Sequence, residues 1–163
     1  MKKEELSYIA GFLDGDGCIM LQLVFRADYR LGYQIRASIV FYQKQKYKNF
    51  LFWLKGKFQV GYIRDRNDGM SEYTIVGSKP VIGILKKLMP YLRLKKDQAE
   101  LALEVLAKMP GSGRKMNSRI LLELSLEVDK FAELNYSKKR TNTSEKVRQF
   151  LNKSLLNPVE TEV

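Results

Sequence analysis

The stretch Ile9-Ala10-Gly11-Phe12-Leu13-Asp14-Gly15-Asp16-Gly17-Cys18-Ile19, read as IAGFLDGDGCI, ends an apolar helical run in two carboxylates, each followed by glycine. A helix gathers partial negative charge at its C-terminal end, so acids placed there oppose the dipole. Glycine is an ordinary helix stop because it tolerates positive φ. That accounts for the glycines and leaves the acids unexplained. A divalent cation would account for both, since a carboxylate and a free C-terminal carbonyl are the hard oxygen ligands that magnesium takes. The alternative is a solvated turn in which Asp14 and Asp16 meet only water, and so short a motif does not choose between the two.

Outward from this stretch, the apolar spacing of Leu6, Ile9, Ala10 and Leu13 predicts a helix over residues 5–13. Period-two alternation then predicts strands over 19–29 and 33–42, a helix follows over 46–57, and a second strand pair (60–66 and 71–77) flanks an Asn67-Asp68-Gly69 turn. Further helices are expected from Pro80 to about Met89, over 95–108, over 117–134 and over 144–155, the last opened by Thr143 or Ser144 as N-cap. The order αββαββα plus C-terminal helices predicts an α+β fold: one four-stranded antiparallel sheet with helices on one face. A single domain is expected over 1–155, with a frayed tail at 156–163.

Lys and Arg number 29 against 18 Asp and Glu, a net charge of +11. Ten basic residues and two acidic ones lie between Arg26 and Arg66, so the positive charge is local and points first to nucleic acid. The start of the chain has acidic residues where a signal peptide would be apolar, and no run is long enough to span a membrane. One cysteine, Cys18, excludes an internal disulfide and suits a reducing, intracellular compartment. With no histidine, the chain can build neither a Ser-His-Asp triad, a Cys₂His₂ zinc site nor HNH-type nuclease chemistry. None of the 18 acidic residues begins an Asp/Glu-x-Lys motif. Any chemistry must therefore rest on carboxylates, lysines and metal.

On the outward parity of the four strands fall Gln22, Arg26, Asp28, Gln34, Arg36, Ser38, Tyr62, Arg64, Arg66, Glu72 and Thr74. An antiparallel sheet commonly wets one face. A face rich in Gln and Arg also fits the reading of base edges, because Arg pairs with guanine and Gln with adenine through two hydrogen bonds.

IAGFLDGDGCI, followed in order by FYQKQK (41–46), VGYIRDR (60–66), LRLKKDQA (92–99) and LNYSKKRTNTSEKVRQFL (134–151), resembles the LAGLIDADG homing endonucleases, in particular the single-motif homodimeric type of green-algal chloroplast introns. The resemblance implies a saddle-shaped sheet on DNA and a homodimer joined through the motif helix at Ile9, Gly11, Phe12 and Asp14. Gly11 and Gly15 have the small-x-x-x-small spacing that permits close helix approach. It further implies hydrolysis of a long pseudo-palindromic duplex, leaving short 3′ overhangs and promoting intron mobility. Asp16 and the Gly15 carbonyl would hold Mg²⁺, with Mn²⁺ or Ca²⁺ substituting for binding, and Gln43 and Lys95 would complete the catalytic set. Where relatives carry a pocket arginine this chain has Tyr47 between Lys46 and Lys48, which leaves that role open. DNA contacts are expected from Gln22, Arg26, Asp28, Tyr29, Gln34, Arg36, Val40, Lys44, Lys46, Lys48, Arg64, Arg66, Glu72, Thr74, Lys138, Lys139, Arg140 and Thr143. Organellar expression follows from the resemblance alone. The competing reading is a maturase acting on intron RNA, or a DNA-binding regulator of the same fold.

Overall fold

A computed structural model of the chain describes residues 1–111, 114–135 and 140–156. They fall into two compact units, one of residues 1–21 and 36–106, the other of residues 22–35 and 107 onward, with the first two strands running through both. Six helices and four strands follow the order α1 (Lys3–Asp16), β1 (Gly17–Phe25), β2 (Tyr33–Lys44), α2 (Asn49–Phe58), β3 (Tyr62–Asp65), β4 (Met70–Val76), α3 (Ser78–Leu88), α4 (Lys96–Lys108), α5 (Ser118–Leu134) and α6 (Ser144–Leu156). The four strands form one sheet in the order β1-β2-β4-β3. This is the α+β arrangement that the sequence pattern predicts.

In the first unit the apolar stripe of α1 is buried: Ile9, Ala10 and Leu13 have no accessible surface. α1 packs on α3 and reaches the odd-numbered face of the sheet through Phe12, stacked on Phe41; on that face Ile39, Phe41, Tyr73 and Ile75 are likewise fully buried. The register pairs Phe41 with Tyr73 and Ile39 with Ile75 across β2 and β4, so one face carries the apolar side chains by the period-two rule. Between α2 and β3 the chain turns sharply through Gln59 (φ 58°) and Gly61 (φ 79°). A Cβ at Gly61 would lie 2.4 Å from the Thr74 carbonyl oxygen, so only glycine fits there.

The second unit packs α5 against α6 around Leu121, Leu124, Val128, Phe131, Val147 and Leu151. Asn117 caps α5 by accepting the Ile120 N–H at 2.8 Å. The β1–β2 hairpin tip is closed by the Arg26 N–H donating to the Gly32 carbonyl at 2.7 Å. Phe150 of α6 packs edge-on against Phe25 and Tyr33, with ring centroids 5.8 and 5.9 Å away.

Several observed boundaries differ from the expected ones. β1 stops at Phe25 rather than 29, because the Arg26–Gly32 bond starts the turn. α1 continues through both acids to Asp16. α3 begins at Ser78 rather than Pro80, whose missing N–H costs nothing in a first turn that has no partner to offer.

Candidate active site

At the end of α1 the Gly17 N–H closes the last turn onto the Leu13 carbonyl, and Gly17 itself is extended (φ −117°, ψ 175°). Its need for glycine is therefore one of space: a Cβ would lie 2.9 Å from both the Leu13 Cα and its carbonyl oxygen. Gly11 and Gly15 have nothing within 4 Å of the position a Cβ would take. Their smallness serves no contact among the described residues of this chain.

The two acids have opposite surroundings. Asp14 is buried, its Oδ2 accepting the Arg93 N–H at 2.7 Å and its Oδ1 the Lys95 N–H at 2.9 Å. The Lys95 ammonium in turn donates to the Asp14 main-chain oxygen. Asp16, one half-turn on, is exposed and has neither hydrogen bond nor ion pair among the described residues. The chain thus brings together a free carboxylate and a positioned ammonium at one helix end. Gln43, half-buried at the end of β2, accepts the Lys44 N–H at 2.9 Å and has no hydrogen bond to Asp16 or Lys95. Cys18 is half-buried beside them, and burial pushes its thiol up, against the opposing pull of Lys95.

The residues that flank Tyr47 differ as well. Lys48 is held by Asp65 at 2.7 Å, and that ammonium, with the Ser71 hydroxyl, keeps the Asp65 carboxyl below its ordinary value. The Lys46 ammonium stands 4.6 Å over the exposed Tyr47 ring and makes no ion pair among the described residues.

Asp16 and Gly15 offer hard oxygen donors of the kind a divalent cation takes. Among the described residues there is no group of three or more His, Cys, Asp or Glu that could hold a metal. The donor set therefore fits part of a metal site.

Two residues expected at a dimer interface are turned inward. Ile9 is fully buried in the apolar stripe and Asp14 is spent on residues 93 and 95. Gly11 is exposed, and Phe12 is half-covered by Phe41 and Phe50, with centroids 6.0 and 4.7 Å away. The exposed stripe of α1 is Glu4, Tyr8, Gly11 and Gly15. Beside it Glu4, Glu5, Tyr8, Phe50 and Trp53 line a groove of about 510 Å³.

The outward face of the sheet carries the expected polar side chains in cross-strand rows. Tyr42, Glu72 and Arg64 form one row and Val40, Thr74 and Tyr62 the next. Glu72, mostly buried, takes Arg64 at 2.7 Å and Arg66 at 3.8 Å, while Arg66 also pairs with Asp68 at 2.9 Å and lies over the Tyr42 ring. Val40 and Thr74 were expected to be open to a groove, but they are 2% and 5% exposed: short side chains on the floor between longer neighbours. Gln22 and Lys44 are exposed and Gln34 is half-buried; Arg36 is also half-buried, and its Nε is buried without a partner. At the hairpin tip Arg26 grips Asp28 at 2.8 Å in the open, and Tyr29 stands exposed beside them.

Arg140 was expected to meet phosphate. Instead it is half-buried and donates to the Val128 carbonyl at 2.6 Å, and burial lowers its guanidinium. Thr143 is the residue before α6 and accepts the Val147 N–H, so its part is that of an N-cap. Lys138 and Lys139 lie outside the described residues. Met20, Val24 and Tyr42 share the outward parity, are half-buried, and are not among the residues named from the sequence; strand parity alone places them on that face.

Comparison with known proteins adds to this geometry. The LAGLIDADG endonuclease family model matches residues 9–104. The chain is 40% identical over 149 residues to DNA endonuclease I-CvuI of Chlorella vulgaris, covering 91% of each chain. It is 39% identical over 149 residues to DNA endonuclease I-CreI of Chlamydomonas reinhardtii, covering 91% of this chain and 90% of that one. The crystal structure of I-CvuI in complex with its target, in the presence of calcium, superposes with a TM-score of 0.86 over 92% of this chain and 94% of that one. The archaeal intron-encoded homing endonuclease I-Vdi141I, complexed with DNA, has the same fold at 18% identity, with a TM-score of 0.81 over 96% of this chain and all of the other. With a motif helix that ends in a free carboxylate and strands that carry Arg and Gln on their outward parity, the chain belongs to the LAGLIDADG endonuclease family.

Proposed function

We propose that two copies of this chain, joined through α1, cut a long pseudo-palindromic DNA duplex with the help of Mg²⁺, leaving short 3′ overhangs and promoting the mobility of a host intron in an organelle. The chain is a site-specific DNA endonuclease, as are I-CvuI and I-CreI, to which it is similar over nine-tenths of its length. The observation that carries the metal-dependent reading is the contrast between the two acids: Asp14 is consumed by the fold, and Asp16 is left exposed without a partner.

In this reading residues 1–155 act as one domain, and the Asp16 carboxylate and Gly15 carbonyl of each copy hold the cation. When bound, it neutralises phosphate charge and favours the ionisation of water. Lys95, fixed at the same helix end, meets the negative charge that builds on the scissile phosphate. Gln43 orients the attacking water. Lys46 stands free over Tyr47 while Lys48 is paired with Asp65, which supports Lys46 as the cation at the position the sequence left open. A lysine there acts as a point charge rather than a two-pronged donor.

The two-copy reading draws support from the exposed Tyr8–Gly11–Gly15 stripe and the aromatic groove of Tyr8, Phe50 and Trp53. Two identical saddles about a twofold axis would read an inverted repeat. Within each half-site Arg64, Arg66, Arg36, Gln22 and Gln34 are the base readers. Arg26, Asp28 and Tyr29 act at the tip, and Lys44 and Lys138–Lys139 act on phosphate.

The test is selection from a plasmid library of randomised pseudo-palindromic sites in Mg²⁺, with Asp16→Asn run beside the wild type. Double-strand cuts by the wild type alone are expected. Sequence-specific binding without cutting, the same for both proteins, would overturn the metal-site reading in favour of a maturase or regulator.

A further inference from the structure

We propose that Asp14 is the positioning residue of Lys95, holding it at its main-chain and side-chain ends at once; this rests on the reading of Lys95 as part of the cleavage machinery. Residues 92–95 form a non-helical link before α4, anchored by the buried Leu92 but carrying the exposed Arg93 and Leu94, Leu94 being 76% exposed. Beyond Leu92, the backbone of the link is held by the hydrogen bonds it makes. Two of its amides, Arg93 N–H and Lys95 N–H, point to the two oxygens of one carboxylate, at 2.7 and 2.9 Å. The side chain of Leu94, between them, faces out.

Lys95 is the residue before α4, since its carbonyl accepts the Ala99 N–H at 3.0 Å. The N–H of such a residue is often bonded by an acid within its own helix. Here an acid of α1 takes it, which ties the start of α4 to the end of α1. The long stem of lysine ordinarily samples many rotamers. It is constrained here because the ammonium lands on the Asp14 carbonyl oxygen, two residues before Asp16. One residue therefore sets both the backbone from which Lys95 springs and the point where its charge comes to rest. Only a carboxylate can do the first part, because both of its oxygens accept, whereas an asparagine presents N–H to one of the two amides.

The consequence is kinetic. A displacement of about 1 Å in a positioned charge costs on the order of a hundredfold in rate. Single-turnover cleavage and affinity for the target, the latter measured in calcium, would be compared for wild type, Asp14→Asn, Lys95→Ala and the double variant. The expected result is that Asp14→Asn slows cleavage on the order of a hundredfold, with affinity changed by less than about threefold. It should slow the Lys95→Ala enzyme by no more than about threefold further, since residues acting through one another are not additive. Independent, multiplicative losses would overturn the proposal, as would full-rate cleavage by Asp14→Asn beside a slow Lys95→Ala. Full-rate cleavage by Lys95→Ala would instead sink the reading of Lys95 itself. Should Asp14→Asn fail to fold, amide hydrogen exchange on the wild-type protein decides: the Arg93 and Lys95 amides should be protected as strongly as those in the middle of α1. Exchange at the rate of an open loop would overturn the proposal.

Discussion

Glu72 sits opposite Arg64 across β3 and β4, with a second arginine, Arg66, at 3.8 Å, and its own side chain is only 10% exposed. A mostly buried carboxylate between two guanidinium groups limits how freely either can swing toward phosphate, so it turns two general cations into two directed donors. Glu72→Gln should therefore bind non-target DNA more tightly and steepen the salt dependence of that binding. It should reduce the ratio of target to non-target affinity roughly tenfold, since one well-placed bidentate pair is worth about 1–3 kcal/mol of discrimination. Competition binding at several salt concentrations measures both effects; an unchanged ratio would mean that Glu72 only packs. The same residue shows what the sequence could reveal: strand parity put Glu72, Arg64 and Arg66 on one face, but not the ion pairs among them. The acids of α1 make the point more sharply. Asp14 and Asp16 look alike in DGDG, and the difference between them lies in two backbone amides some eighty residues away, which no local pattern encodes. The burial of Ile9 was legible in its place on the apolar stripe with Leu6 and Leu13, whereas its interface role came from the resemblance.

At the scale of elements, the order of helices and strands was legible because each has a single buried face and a clear period, with Pro and Gly between them. Boundaries were less so where tertiary bonds decide them, as at the β1–β2 tip. There Phe25, Tyr33 and Phe150 form an aromatic cluster, and Gly32, at φ 69°, leaves room for the Phe150 ring, which would be 2.3 Å from a Cβ. The Asn142 side chain adds a bond to the Leu23 carbonyl at 2.9 Å. This end of the chain is thus a brace for the turn that carries Arg26, Asp28 and Tyr29, a role the sequence reading did not assign to it. Phe150→Ala removes the ring from a half-buried site, so the loss should be about 1–3 kcal/mol, below that of a fully buried phenylalanine. For a chain of this length that corresponds to roughly 2–4 °C in melting temperature per kcal/mol. Cleavage of the target library should show weaker preference at the base pairs read by the tip and unchanged preference at those read by Arg64 and Arg66. Uniform loss across the site would mean that the cluster serves stability alone.

At the scale of the whole molecule, a net charge of +11 explains attraction to a polyanion but neither selectivity nor a double-strand cut. In the proposed reading one Asp16 per chain serves one strand, and among the described residues no group of three or more His, Cys, Asp or Glu offers a metal site for the other. Two copies resolve this if α1 is where they meet, and Gly11 offers a test in which folding and assembly respond with opposite sign. Gly11 lies within α1, exposed, with nothing within 4 Å of a Cβ position. Within one copy a larger side chain therefore meets no obstacle, and replacing a mid-helix glycine by a good helix former should stabilise α1 by roughly 0.5–1 kcal/mol. Between two copies the same side chain would stand where the helix backbones approach, a contact that small residues permit by steric necessity. Gly11→Leu should accordingly give a monomer in sedimentation at concentrations where the wild type is a dimer, melt no lower than an isolated wild-type subunit, and fail to cut both strands. A dimeric Gly11→Leu protein with normal cleavage would move the interface away from this stripe. A monomeric wild type that still cuts both strands would remove the need for a second copy altogether.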